Sequence, residues 1–400
     1  MDKRDRAGDL RSRDGFEHMD AIEGAVHGES HEQEADRFPC VLAAPRHFHL
    51  FVQDPDDDWS PTLEQVNAGT YDPLKLKRIS FYLDVGLPHG NPMGFGFDGS
   101  MIIPRNPHLR SADDAVDEFN RVVAALLIGG LRLHQVVSGD LAFGSLYATG
   151  YYRYEHPHGI LPTLHQAWGE AAAGGYLSID LLHPSRISKA DTVAALDAGR
   201  PVLAAAHRID PATLVMAFSH HVATEYRNSL IYSWLIVEQL VSQIWDDVFL
   251  SQRMARFQER VGQLQASARS AAVRVEFLTE AGLVDRKLYR YLQRARNARN
   301  DLIHKGAKPS QGDSYFSLVA LARLLELICA NGSVPFDVRA FLQGLGKRSE
   351  RPRREGVMRA EEADWSEVAY WREVKPIPGE KQWSGSHEQR AGIGVVRTKR

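Results

Sequence analysis

Cysteine is scarce in this chain: Cys40 and Cys329 are the only two in 400 residues, and they lie far apart. A disulfide framework is therefore excluded as the source of stability, and a reduced, cytoplasmic setting is expected. Long apolar runs are missing as well. The longest candidate, Leu230 to Val241, contains Glu238 and falls short of the roughly 18 residues that a membrane span needs. The first twenty residues carry charge throughout, which predicts no apolar signal segment. Excess charge of one sign is also lacking. The formal net charge is −3, so no global field advertises a nucleic-acid or membrane partner. Neither a phosphate-loop lysine motif nor a Gly-x-Ser-x-Gly elbow is present.

What is present is uneven. Residues 1–37 are dense in Asp, Glu, Arg, His and Gly without hydrophobic period, and predict a disordered acidic tail. From Phe38 the texture changes. Phe48, Leu50 and Val52 alternate, and Ile79–Val85 reads as a strand. Gly94–Pro104 reads as strand pieces broken by glycine. Ser111 is placed to cap a helix carrying Val116, Phe119, Val123, Leu126 and Leu127, which Gly129-Gly130 stops. Leu131–Val137, Leu141–Tyr154 and Tyr176–Leu182 return to strand character, and a short helix over Lys189–Ala198 is expected to end at Gly199. Residues 38–205 therefore predict a mixed α+β domain.

Beyond Asp210-Pro211 the strands vanish. Asp210 as N-cap and Pro211 at the first helical position open a long helical run through Leu230, Trp234, Val237, Val241, Ile244 and Val248. Further helices are expected at about 252–268, 270–281, 285–305, 314–331 and 335–344, which makes residues 206–346 an all-α bundle. Residues 347–400 are rich in Lys and Arg and predict a largely disordered tail with one helical segment near 360–373.

Several constellations suggest chemistry. Gly94-Phe95-Gly96-Phe97-Asp98-Gly99 matches the dinucleotide fingerprint literally, but strand and proline follow it. Without a helix N-terminus there is no pyrophosphate cradle, so a glycine-rich turn or hairpin is the better reading. His47 and His49, and His156 and His158, lack the partner spacing of a closed zinc site, and His220-His221 reads as helix packing. Trp234 and Trp245 read as core or dimer surface.

The stretch that stands out is Arg299-Asn300-Asp301-Leu302-Ile303-His304-Lys305-Gly306, at the end of a helical region whose buried stripe is Leu288, Leu292, Ala295 and Leu302. At about 100° per residue, Asn300 and His304 share one face, one turn apart. Arg299 lies beside them, and His304 falls in the last turn, where the carbonyl end of the helix favours imidazolium. An arginine, an amide and an imidazole so placed can bind a phosphate and move a proton. An ordinary basic C-cap would read the same way, and Arg-x-x-x-x-His arises by chance in a chain with seventeen histidines.

Three segments carry a resemblance: Phe277–Leu283, Leu288–Leu292 and Arg299–Gly306, with Trp234–Leu240 upstream. Over residues 211–344 the chain resembles the HEPN superfamily, in particular its Apea-like branch, and Trp234–Leu240 looks like that family's long first helix with its internal acid. The resemblance implies that the α+β N-terminal domain is followed by a HEPN-like bundle that acts as a metal-independent, cofactor-free endoribonuclease. It further implies a homodimer with tRNA, rRNA or mRNA as substrate, in the manner of toxins and antiviral effectors. Arg299 would bind the scissile phosphate, Asn300 would hydrogen-bond that phosphate or fix His304, and His304 would act as general base or acid. Arg296 and Lys305 would help hold substrate. Residues 38–205 would sense a trigger or an antitoxin. Gly306 stands where nucleotidyltransferase-paired members carry tyrosine, so modification of such a tyrosine is not expected. The alternative is a non-catalytic dimerisation or nucleotide-binding module.

Overall fold

The computed structural model describes residues 37–345, except 45, 47–48, 55–59, 69–70, 88–89, 164–184, 254–257 and 344. The two predicted tails (apart from Arg37) and the strand expected at Tyr176–Leu182 lie outside the described residues.

The first element among the described residues, β1 (Arg37–Ala43), is also in the middle of the main sheet. Two short helices, α1 (Leu63–Ala68) and α2 (Pro73–Leu76), follow β2 (His49–Val52). Then come β3 (Ile79–Leu83), β4 (Met93–Gly96) and β5 (Met101–Pro104), helix α3 (Ala112–Ile128), and β6 (Leu141–Tyr147) with β7 (Tyr152–Pro157). The six-stranded sheet runs in the order β3-β4-β5-β1-β6-β7, and its pairs are antiparallel. Pro39 is tolerated in a central strand because β5 pairs only with Cys40–Ala43. At Pro39 the only demand on that side is on its carbonyl, which accepts from Arg105 N at 3.0 Å. β2 pairs in parallel with β8 (Ser185–Ser188). All four β2 residues are buried, not the alternate ones expected: Phe51 meets Phe81 and Phe95, while Leu50 and Val52 pack with Leu76 and Phe97.

Helix α3 begins as the sequence predicts, with a reciprocal Ser111/Asp114 capping box. Its C-terminal half is buried all round, Val122 through Ile128, because the sheet, α4 (Lys189–Ala205) and α5 (Pro211–Val222) all pack against this part of the molecule. The expected stop of α4 at Gly199 is corrected. The helix runs on through Gly199 and Pro201 to Ala205. Gly199 serves close approach: a Cβ there would stand 1.9 Å from the Ala125 carbonyl oxygen, and one at Gly129 would stand 2.1 Å from that of Ala195. The backbones of α3 and α4 therefore touch, and one continuous apolar core crosses from the sheet into the helices.

The expected strand at Leu131–Val137 is also corrected. This segment is extended but joins no sheet. Its backbone is claimed by side chains instead: Asn120 accepts from Val136 N at 2.9 Å and donates to Val136 O at 2.8 Å, and Ser219 Oγ accepts from Gln135 N at 3.0 Å.

Asp210 caps α5 by accepting from Thr213 N at 2.9 Å. The helical run then breaks at Thr224, whose φ is +63°, and folds back as α6 (Tyr226–Gln243). A wide π-helical stretch, Ile244–Arg253, extends α6. α7 (Gln258–Ser267), α8 (Ala271–Glu280), α9 (Arg286–Lys305), α10 (Gln311–Asn331) and α11 (Val338–Leu342) complete the bundle. Trp245 is fully buried and Trp234 is 6% exposed, so both are core. Cys40 and Cys329 are free and buried, and burial pushes their thiols up to about 12 and about 11. Among the described residues no helix is long and apolar enough to cross a membrane.

His221, at the end of α5, closes a buried chain of hydrogen bonds. Ser229 donates to Ala217 O at 2.7 Å, and Ser314 donates to Ser229 at 2.7 Å. His221 Nδ1 lies 2.7 Å from Ser314 Oγ, and its Nε2 lies 3.2 Å from Leu345 O. A neutral imidazole donates at one ring nitrogen only, so the tautomer decides which of these two contacts receives the ring hydrogen.

Candidate functional site

The candidate residues sit at the end of α9. Asp285 caps its start by accepting from Leu288 N at 2.6 Å. Leu288, Leu292, Ala295 and Leu302 are buried, as the predicted stripe requires, and hold the helix against α10 and α6. Gly306, at φ +66°, ends it. Its N–H donates to Leu302 O at 3.1 Å, and Ala307 N donates to Asp301 O at 3.2 Å. Ser310 then caps α10, so two helix ends meet across a short turn.

Arg299 and Asn300 are both half-buried and in contact: Arg299 Nη1 donates to Asn300 Oδ1 at 3.1 Å. That bond fixes the guanidinium against the helix and leaves its remaining N–H groups for a ligand. His304 is exposed in the last turn, with no hydrogen bond or ion pair among the described residues. The structure thus joins Arg299 to Asn300 and leaves His304 one turn further along. Arg296 is half-buried. Lys305 turns the other way, toward Asp301, at 2.7 Å. Ile303, beside His304, is 51% exposed, an apolar side chain next to the polar set.

Glu238, the acid inside α6, accepts from Trp234 Nε1 at 2.6 Å. Among the described residues no group of three His, Cys, Asp or Glu is placed to share a metal ion.

Two features were not read from the sequence. One is an open groove of about 490 Å³ along α9, lined in part by Tyr289, Gln293, Asn297 and Lys308. It forms only because the α9–α10 turn folds back beside the helix. The other lies in the glycine-rich hairpin. Residues 93–104 do form β4, a turn and β5, as expected, but the turn carries a buried charge. Asp98 pairs with Lys77 at 3.2 Å and accepts from Ser100 N at 2.9 Å and from the Tyr152 hydroxyl. Ser100 Oγ lies 2.6 Å from the Tyr154 hydroxyl, and Lys77 Nζ stands 4.4 Å over the Tyr154 ring. A Cβ at Gly96 would meet the Tyr152 hydroxyl at 2.1 Å, so the fingerprint glycine makes room for a tyrosine, not for a pyrophosphate. Burial first, and Asp98 second, push both tyrosine hydroxyls well above their ordinary range. The signal available in the sequence was Asp98 itself, an acid between two strand pieces otherwise free of charge. Compared with family models, with curated proteins and with solved structures, the chain finds no match.

Proposed function

We propose that the helical half is a HEPN-type, metal-independent endoribonuclease that works as a homodimer, with the α9 helices of two copies facing each other. The observation that carries this reading is the end of α9. A guanidinium pinned by its neighbouring amide and an exposed imidazole one turn on sit at the capped end of an amphipathic helix inside a helical bundle. Arg299 grips the scissile phosphate through its forked donors. His304 takes the proton of the 2′-hydroxyl as that oxygen attacks phosphorus. The bond to the 5′-oxygen breaks, and His304 of the partner subunit returns a proton to the leaving oxygen. The products are a 2′,3′-cyclic phosphate and a 5′-hydroxyl. The α+β half restrains or triggers the nuclease through the core it shares with α5.

One observation favours a second reading, a non-catalytic dimerisation or nucleotide-binding module. Among the described residues no group orients the His304 ring, and a general base is ordinarily held by a third group. Incubating the protein with mixed tRNA and rRNA in EDTA, beside Arg299→Ala and His304→Ala, separates the two. The nuclease reading expects cyclic-phosphate ends and a loss of about 10²–10⁴-fold in each variant. Equal cleavage by all three removes this site, and no cleavage by any form leaves the module or a nuclease still restrained by its α+β half.

A further inference from the structure

The groove beside α9 lies along a strongly basic stretch of helix and turn. Between Arg286 and Lys308 stand eight lysines and arginines against a single acid, Asp301, in a chain whose formal net charge is −3. Much of that charge is already used. Lys305 is paired with Asp301, and Arg294 is paired with Asp313 at 3.4 Å while lying 4.0 Å over the Phe316 ring. Arg290 on α9 and Lys308 on the returning turn both line the groove, and neither has an acidic partner among the described residues. The two acids that line the groove, Asp301 and Asp313, are spent on Lys305 and Arg294, which leaves Arg290 and Lys308 to hold an anionic ligand that runs between them.

Three further details narrow its chemistry. Gln293 and Asn297 line the groove one turn apart; the Gln293 amide donates to Glu276 at 3.2 Å, and Asn297 presents an amide that both donates and accepts. Tyr289 lines it too, with its hydroxyl held by Glu276 at 2.9 Å, so the ring is a fixed platform and not a swinging one. The direction matters most. Asn297 and Asn300 are three residues apart, and Asn300 and His304 four, so the groove face continues along the helix onto His304. From Arg290 to His304 the helix rises about 21 Å, long enough for several nucleotides but presented on a single helix. A duplex is held by its shape across wide minor grooves, whereas a single strand is held by stacking and by backbone charge.

We propose that this groove is the track for a single-stranded RNA segment leading to His304, with Arg290 and Lys308 each neutralising a phosphate and Tyr289 stacking a base. The assignment rests on the nuclease reading of α9 and deepens it.

The test is binding of a short fluorescein-labelled single-stranded RNA to full-length His304→Ala protein, read by anisotropy between low and moderate salt. Arg290→Ala/Lys308→Ala should weaken binding and flatten the slope of log K against log salt by about 1.4, at about 0.7 per lost phosphate contact. Tyr289→Ala should weaken binding by about 5–150-fold with the slope unchanged. The control is Arg227→Ala/Arg286→Ala, which removes the same charge from exposed positions outside the groove. Equal losses in the groove and control doubles overturn the track, as does no RNA binding by any form. An equally tight duplex overturns the single-strand assignment. Cleavage by the His304-intact protein is scored separately. A protein that binds through the groove but cuts nothing keeps the track and loses the nuclease. A protein that cuts unchanged in the groove double keeps the nuclease and loses the track.

Discussion

Replacing Asp98 by alanine is the most severe single perturbation the α+β half offers. The carboxylate is fully buried. It faces the Lys77 ammonium at 3.2 Å and accepts from Ser100 N at 2.9 Å and from the Tyr152 hydroxyl. Removing one member of a buried ion pair costs about 3–5 kcal/mol, because the other charge keeps its desolvation penalty without that attraction. Tyr152 and Ser100 lose an acceptor as well, so the upper end of that range is expected. Tyr152→Phe deletes one hydrogen bond to a charged group and should cost about 1.5–3 kcal/mol. Lys77→Met/Asp98→Leu removes both charges together and should regain at least about 2 kcal/mol of the Asp98→Ala loss, since a buried pair is often replaceable by apolar side chains of similar volume. Urea unfolding, followed by tryptophan fluorescence and circular dichroism, gives the midpoints, which are comparable where the slopes agree. A double variant as unstable as Asp98→Ala, or an Asp98→Ala loss under about 1 kcal/mol, would refute the claim that this charge is held by the network around it.

Gly199→Ala should lower the melting temperature by at least about 4 °C, because a methyl group cannot stand 1.9 Å from the Ala125 carbonyl oxygen and the two helices must part. Gly262→Ala, where nothing lies within 4 Å, should leave it unchanged or raise it, as calorimetry on both variants will show. Burial first, and Arg132 after it, lower His221 below the usual histidine range against the pull of the Leu345 carbonyl. The unfolded chain therefore binds the proton more readily, and the stability from this group is complete above about pH 6.5 and is lost as pH falls from there through the lower folded-state value. Stability against pH for His221→Gln should be flatter there than for the parent; parallel curves would exclude His221 as the titrating group. Gly306→Ala, at φ +66°, should cost about 1 kcal/mol by thermal melt. On the nuclease reading it should reduce cleavage further than that loss explains, because it frays the turn that bears His304.

How far the structure was legible in the sequence depended on how local each determinant was. The Ser111 and Asp210 caps, the strand at residues 79–83 and the α9 helix with its four buried positions were all readable, because each depends on residues within a turn or two. Leu131–Val137 has the composition of a strand, and what denies it a ladder is Asn120 and Ser219, contributed from elsewhere in the chain. Gly199 reads as a stop until Ala125 is seen against it. The α5–α6 fold-back turns on Thr224, a residue with no intrinsic taste for the left-handed region. At the candidate site the motif residues were legible as a helix end. The Arg299–Asn300 bond, the diversion of Lys305 to Asp301 and the groove were not, since side-chain pairing and the return of the turn are decided only once the helices pack.

The place of β1 at the middle of the sheet sets a timetable for the ribosome. β1 leaves the exit tunnel before every partner it will pair with: β5 follows about 60 residues later and β6 about 100. At about 5–20 residues per second, roughly 5–20 s pass in which Cys40-Val41-Leu42-Ala43 has been made and its second edge has nothing to meet. A message truncated before residue 141 would release a chain with that edge permanently bare, a template for another chain. Yield in a cell should therefore depend on translation speed and on chaperones that shield nascent strands, more than on the equilibrium strength of the finished core.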